Sequence, residues 1–463
     1  YDQIIATIAL VVGLGNPSDQ LVAWVALFAP VVFALAVIVP TYIMGRRLGG
    51  RPGGVSAVIV IALTASAYLT RSWVGTVDHH IAELLFQVIG VLGMMIALSV
   101  ASREKPIFEQ IFERDFQALR PTIAWSTLAG VAVALYLWVW PFGVLLIGVF
   151  GIYFLFELSA EFVRGESPEH TAIAGAIAMS VTGVLLLAKL QFLDFSPSNF
   201  TLLQAALPFG LAAWCLGMAW LAREWESREL ATWQYPVAVF GVLAAIILAI
   251  RFVTPGIFNL FAKNVVRILG LGYGASQTAL SVGEITPLGN PAELWGMFKF
   301  GIFAALAGVL WIVARFAMGR KVRSEYVLVV VWAIVMTMAT FSQERFSYYL
   351  VVPVAVLTGY TVGRIVESLS LGFDPDVWEF FRIAGIVAIA AMLIVPMVVV
   401  APTPMASSTR NGPGNGIQGW TESLDWMDAN APDQGQFGNG STTMEYQGTY
   451  GITDDYDYPD GAY

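Results

Sequence analysis

The feature that most constrains this chain is a succession of apolar runs without charge, several of which reach the roughly 20 residues a helix needs to cross a bilayer. Between Arg120 and Glu157, for instance, there is no Asp, Glu, Lys or Arg. A backbone in hydrocarbon must satisfy its own hydrogen bonds, so only helices or closed barrels can span. The runs are solid blocks rather than alternating ten-residue segments, which excludes a porin-like barrel and leaves helices. Composition agrees: 57% of the 463 residues are hydrophobic and 12% charged, against about 25% charged in a soluble domain. One cysteine excludes a disulfide framework or a thiolate metal cluster. Three histidines, His79, His80 and His170, leave little room for a histidine-rich metal cage.

Blocks bounded by charges, Pro and Gly predict twelve spans, at 21–44, 55–69, 82–100, 122–138, 142–158, 172–190, 202–221, 236–252, 295–317, 327–341, 348–364 and 383–401. Cytoplasmic loops collect Lys and Arg, so alternate connections should be basic. One alternate set carries sixteen of the 24 Lys and Arg residues, from Arg46 to Arg382, and the other carries eight, from Arg71 to Arg410. This partition supports the count and puts residues 70–81, 253–294, 342–347 and the tail on the outer side. The tail from Pro402 carries nine acids against Arg410, hence −8 of the net −9, which suits a polar extramembrane segment and argues against nucleic acid as a partner. Residues 103–120 set Ile107, Phe108, Ile111, Phe112, Phe116 and Leu119 at helical spacing among charges, predicting one amphipathic helix on the cytoplasmic interface. The chain opens on Tyr1 in mid-pattern with no basic n-region, and the expectation is a fragment. No short-period repeat or similarity between halves is evident, which argues against a solenoid or an inverted-repeat transporter.

Polar clusters concentrate in the predicted outer connections. In the first, Arg71 precedes Asp78-His79-His80-x-x-Glu83, and Asp78 with His80 can point an oxygen and a nitrogen at one divalent ion. The other reading is a hydrated loop in which Asp78 caps the following helix. In the second, Ser281-Val282-Gly283-Glu284 lies among Gly272, Gly274, Pro287 and Gly289, so Glu284 is either a carboxylate on a loop able to close over substrate or an ordinary exposed acid. In the third, Gln343-Glu344-Arg345-Phe346 runs into Tyr348 and Tyr349. Arg345 can snorkel to lipid phosphate or hold a substrate diphosphate by paired hydrogen bonds, and the aromatic residues fit an interfacial belt. Asn199-Phe200-Thr201 and Asn439-Gly440-Ser441 match the N-glycosylation sequon, which makes Asn199 and Asn439 candidate acceptors.

Taken in order, these elements resemble the membrane-embedded catalytic subunit of oligosaccharyltransferase, in particular the archaeal dolichyl-phospho-oligosaccharide–protein glycotransferases. The resemblance covers essentially the whole chain. It rests on the order of spans, the Arg71-to-Asp78 spacing with Asp-His-His as second acidic motif, the Ser-Val-Gly-Glu motif ending at Glu284, the Arg-Phe-x-x-Tyr element at Arg345, and the lead-in Ser423-Leu424-Asp425-Trp426-Met427. It implies an all-α polytopic membrane protein with a GT-C type glycosyltransferase membrane domain, carrying about twelve of about thirteen transmembrane helices. Residues 1–401 would form that domain, without its first helix and first acidic motif, and 402–463 would begin a truncated extracellular C-terminal domain.

By the same resemblance, Asp78, His80 and Glu284 would bind Mn2+ or Mg2+, with Asp78 and Glu284 catalytic. Arg345 and His79 would hold the lipid phosphate, and Arg71 would order the motif. The reaction would transfer an oligosaccharide from a dolichol phosphate or diphosphate carrier to the Asn side chain of Asn-x-Ser/Thr, on the extracellular side of a multi-pass cell-membrane enzyme. Its partners would be the lipid-linked oligosaccharide, an acceptor protein and membrane lipid, in a single-subunit enzyme. An amide nitrogen is a weak nucleophile, so carboxylates must polarise it while a metal neutralises the departing phosphate. The family's Trp-Trp-Asp-Tyr-Gly acceptor motif does not occur in these residues, so the fragment by itself is expected to be inactive. The competing readings are another polyprenyl-phosphate GT-C glycosyltransferase and a secondary transporter, although relay acids of a transporter belong near mid-membrane rather than at one face.

Overall fold

The computed structural model describes residues 1–64, 66–103, 107–197, 199–268, 286–369 and 375–400, all within the first of two compact units, Tyr1–Ser407 and Ser408–Tyr463. In chain order the helices are α1 (Asp2–Val12), α2 (Asp19–Leu63), α3 (Ala67–Arg71), α4 (His80–Ala101), α5 (Ile107–Phe112), α6 (Phe116–Val139), α7 (Val144–Val163), α8 (Glu169–Leu187), α9 (Leu202–Ser227), α10 (Gln234–Val253), α11 (Pro255–Ile268), α12 (Ala292–Phe298), α13 (Phe300–Ala317), α14 (Ser324–Ser342), α15 (Ser347–Leu369) and α16 (Pro375–Val395). Among the described residues there is no sheet, only an isolated bridge between Phe192 and Thr201. Ten of the described helices are long and apolar enough to cross a membrane.

Helix α2 supplies two crossings. Gly49 and Gly50 leave helical geometry, Gly50 at φ 68° and ψ −166°, a conformation that suits a residue without Cβ. The two arms fold back on each other, so that Gly45 lies against Gly53, Gly54 and Ala57. The first arm holds the predicted span 21–44 and the second the span 55–69, while the predicted 383–401 falls on α16 and the turn that follows it. Each of the twelve apolar blocks thus meets a helix.

Three boundaries are corrected. The second arm of α2 ends at Leu63 rather than 69, with Thr64 extended and its hydroxyl donating to Met297 O at 3.1 Å. The predicted span 295–317 is broken at Lys299, whose φ of 48° separates α12 from α13. The single amphipathic helix predicted over 103–120 is interrupted at Arg114, with φ 57°. Asp115 then accepts from Ala118 N at 3.1 Å and starts α6, so Phe116 and Leu119 belong to a membrane helix.

The most enclosed helix is α15, buried throughout residues 347–360. Its Gly359 and Gly363 sit against the backbones of Gly53 and Gly49, where an added Cβ would collide with carbonyl oxygens. Small residues of this kind let helix axes approach where lipid offers no hydrophobic drive between helices. On another side, Thr358 and Thr361 donate to Gly301 O and Ala304 O of α13 at 2.8 and 2.7 Å.

Basic connections gather at one end of the bundle. Arg47 beside the α2 bend pairs with Glu325 of α14 at 2.8 Å, Tyr326 donates to Leu48 O at 3.2 Å, and Lys321 pairs with Glu166 at 2.7 Å. From there α14 runs to Ser342 and the turn bearing Arg345, so the polar cluster described next lies at its far end.

Candidate functional site

The site is built where the first turns of α4 and α15 meet. Asp78 ends the connection from α3, held by its own N–H donating to Thr76 O at 2.8 Å. It does not cap α4: the N-cap position is His79, without a side-chain cap bond. Asp78 Oδ1 accepts from the His79 backbone N–H at 2.7 Å, and the carboxylate also faces the imidazoles, with Oδ1 2.5 Å from His79 Nδ1 and Oδ2 3.1 Å from His80 Nε2. The opposite ring nitrogens face Glu83 one turn into the helix. His79 Nε2 lies 2.8 Å and His80 Nδ1 3.5 Å from Glu83 Oε1. Each imidazole therefore lies between an outer carboxylate, 43% exposed, and an inner one that is wholly buried.

A carboxylate in a dry interior needs partners. Glu83 Oε2 accepts hydrogen bonds from Tyr348, at 2.8 Å, and from Tyr349. Tyr348 is also 3.3 Å from His80 Nδ1. The interfacial belt predicted for Phe346, Tyr348 and Tyr349 is thereby corrected, because all three are buried and the two phenols have an ionised partner inside the protein. Glu83 and Tyr349 stood in the motifs Asp78-His79-His80-x-x-Glu83 and Arg345-Phe-x-x-Tyr349 without an assigned role; what sequence reasoning missed is that they and Tyr348 meet. For Glu83 the available signal was its spacing, one helical turn from both histidines.

Two guanidinium groups flank this network. Arg71 lies over the Tyr348 ring, 4.5 Å from its centroid. Arg345, half-buried in the turn Glu344–Phe346, lies 5.8 Å from the Trp140 ring, and Trp140 stacks on Tyr349 at 6.0 Å. Its buried Nε has no hydrogen-bond partner. The structure thus brings Arg71, Asp78, His79, His80 and Arg345 around one pair of tyrosines.

Electrostatics follow from these contacts. Burial works against the charge on Asp78, but hydrogen bonds from His79 and His80 and their positive charge outweigh it and hold the carboxyl well below the usual range. Burial likewise works against protonated His79, yet the Asp78 and Glu83 carboxylates on either side of its ring push it up to about 9. Asp78, His79 and His80 each offer a ligand atom, all within 4.8 Å of one another, a grouping that could hold a metal ion. One carboxylate and two imidazoles suit a borderline divalent cation.

Glu284 and Asn439 lie outside the described residues. Asn199 is exposed, but the hydroxyl of its sequon partner Thr201 is buried, donates to Ser196 O at 2.9 Å and accepts from Leu203 N at 3.3 Å as the N-cap of α9.

Comparison with known proteins gives consistent results. The profile for the family "Oligosaccharyl transferase STT3, N-terminal" matches residues 7–405. The dolichyl-monophosphooligosaccharide–protein glycotransferase AglB of Haloferax volcanii is 36% identical over 544 aligned positions, covering 100% of this chain and 51% of the relative. Among solved structures, the Archaeoglobus fulgidus oligosaccharyltransferase AglB in complex with an inhibitory peptide and a dolichol-phosphate superposes with a TM-score of 0.77 at 22% identity, covering 93% of this chain and 50% of that one. The A. fulgidus enzyme in complex with Zn and sulfate gives 0.70 at 22% identity, over 93% of this chain and 46% of that one. The chain spans about half the length of the relatives it matches, and the shared architecture is that of a GT-C type membrane domain.

Proposed function

The chain belongs to the STT3 family of oligosaccharyl transferases, and from that premise we propose that it forms the membrane part of an enzyme that moves an oligosaccharide from a dolichol-phosphate carrier to the Asn side chain of Asn-x-Ser/Thr. The observation that carries this reading is the convergence of Asp78, His79 and His80, with ligand atoms within 4.8 Å, on the same tyrosine pair that Arg71 and Arg345 flank. Residues 1–401 form the multi-pass membrane domain in this reading, and 402–463 begin an extracellular one. In this reading the basic connections around Arg47, Arg164 and Arg323 face the cytoplasm, as Lys and Arg in short loops usually do, which supports a site on the outer surface of the cell membrane. The enzyme works as a single subunit.

Each residue has a role in the transfer. Asp78 and His80, with Glu284 as the family resemblance implies, would hold a divalent cation, and Mn2+ would suit the carboxylate and imidazole set better than Mg2+, which favours oxygen. When bound, the cation supplies positive charge that offsets the leaving phosphate. Arg345 and His79 hold the phosphate: a guanidinium offers paired donors, and the unpartnered Nε of Arg345 is one of them. Arg71 fixes Tyr348 through its contact with the ring. The acceptor amide nitrogen bonds to C1 of the first sugar as the C1–O bond to phosphate breaks. The phosphate departs with the bonding electrons, and Glu284, rather than the more acidic Asp78, takes the proton that the amide nitrogen loses.

The test is transfer from lipid-linked oligosaccharide to a sequon peptide by the full protein. Asp78→Ala and Glu284→Ala should each abolish it, and retained activity in both would overturn the reading.

A further inference from the structure

Glu83 has no part in that scheme, yet it is the most completely enclosed member of the cluster. Its two oxygens face different neighbours. Oε2 accepts from the Tyr348 and Tyr349 phenols, while Oε1, buried and without a hydrogen-bond partner, lies 2.8 Å from His79 Nε2 and 3.5 Å from His80 Nδ1. The remaining nitrogens, His79 Nδ1 and His80 Nε2, both point at Asp78. An imidazole that ligates a metal must be neutral, with its other nitrogen protonated and donating to a fixed acceptor. Here one carboxylate stands behind two imidazoles.

We propose that Glu83 is the positioning residue of the metal site: it fixes the inner nitrogens of both histidines, with Tyr348 and Tyr349 locking its carboxylate, so that His79 as well as His80 presents its outer nitrogen to a cation shared with Asp78. This rests on the metal-dependent reading above and changes one assignment within it, making His79 a ligand rather than a phosphate contact. The physical requirement is orientation. His79 is 36% exposed on the side chain and begins α4 without a cap; of the two carboxylates beside its ring, Asp78 is shared with the cation, and Glu83 is the wholly buried one that holds the opposite nitrogen. The two phenols serve that end in turn: they occupy Oε2 from the first turn of α15 and leave Oε1 for the histidines.

The test measures Mn2+ binding to the purified full protein, by loss of the free-ion EPR signal, together with the number of nitrogens coupled to bound Mn2+ by electron spin echo envelope modulation. Two coupled nitrogens are expected in the wild type. Glu83→Gln, which keeps the shape and removes the anion, is expected to weaken Mn2+ about 10–100-fold and to leave fewer than two. A merely structural role would lower the melting temperature and leave the Kd and nitrogen count of the folded protein unchanged, and that result overturns the proposal. Should Glu83→Gln not fold, Tyr348→Phe carries the test, with weaker Mn2+ binding expected and a wild-type Kd overturning it. The two readings fail differently. A wild-type protein that takes up no Mn2+, or whose uptake survives Asp78→Ala, overturns the metal-dependent function and this inference together, whereas wild-type uptake that Glu83→Gln leaves unchanged overturns only the inference.

Discussion

The phenol of Tyr348 donates a 2.8 Å hydrogen bond to Glu83 Oε2 and so joins residues 265 positions apart. That bond couples the first turn of α15, which follows Arg345, to the first turn of α4, which carries both histidines. The groups that would hold phosphate and those that would hold metal are thereby fixed to one another through two packed helix starts.

Arg345 should act on the lipid-linked donor. Replacing it with Ala removes a charge-assisted contact worth about 1.5–3 kcal/mol, so KM for the donor should rise roughly 10–100-fold while KM for the peptide stays near its wild-type value. Arg345→Lys should recover only part, since an ammonium lacks the planar fork. Initial rates against donor concentration check this, and an effect confined to the peptide would contradict it.

Metal binding should strengthen as pH rises. Without metal, His79 is protonated below about 9 because Asp78 and Glu83 hold the proton on it, and with His79 as a ligand, as inferred above, a metal must displace that proton. Affinity for Mn2+ should therefore climb about tenfold per pH unit below that value and level off above it. The stability of the metal-free protein runs the other way. A group whose folded pKa is raised stabilises fully below its unfolded value and loses that contribution as pH passes through about 9. Titration calorimetry and thermal scans across pH 6–10 read both trends.

Helix contact through glycine should tolerate no side chain. A Cβ on Gly359 would run into the carbonyl of Gly53, whereas Gly148 has nothing within 4 Å of the same position. Gly359→Ala should cost about 1–3 kcal/mol by overpacking and visibly lower the melting temperature in detergent. Gly148→Ala should leave it unchanged or raise it slightly.

The Asn199 sequon should remain unmodified in the folded protein. Thr201 is committed to capping α9, so Thr201→Ala should cost about 1 kcal/mol of stability whether or not glycan is present. Peptide mapping by mass spectrometry would contradict this by finding glycan on Asn199.

The helices were readable because each span announces itself by about twenty apolar residues, independently of its neighbours. The breaks were less so. Nothing about Lys299 or Arg114 in sequence signals their positive φ of 48° and 57°, and both lie in stretches with helical spacing. The Asp78-His79-His80 cluster was legible because polar groups stood together in a chain that otherwise avoids them. The rest of the site depends on contact at a distance. Tyr348 and Tyr349 at a predicted membrane boundary read as an aromatic belt, and only the packing of α15 on α4 turns their hydroxyls toward Glu83.

The most direct test of the metal centre is anomalous scattering, measured at the manganese edge, from crystals of the full protein grown with Mn2+. The account predicts one strong peak within bonding distance of the Asp78 carboxylate and His80 Nε2. A peak elsewhere, with these side chains still paired to each other, would contradict it.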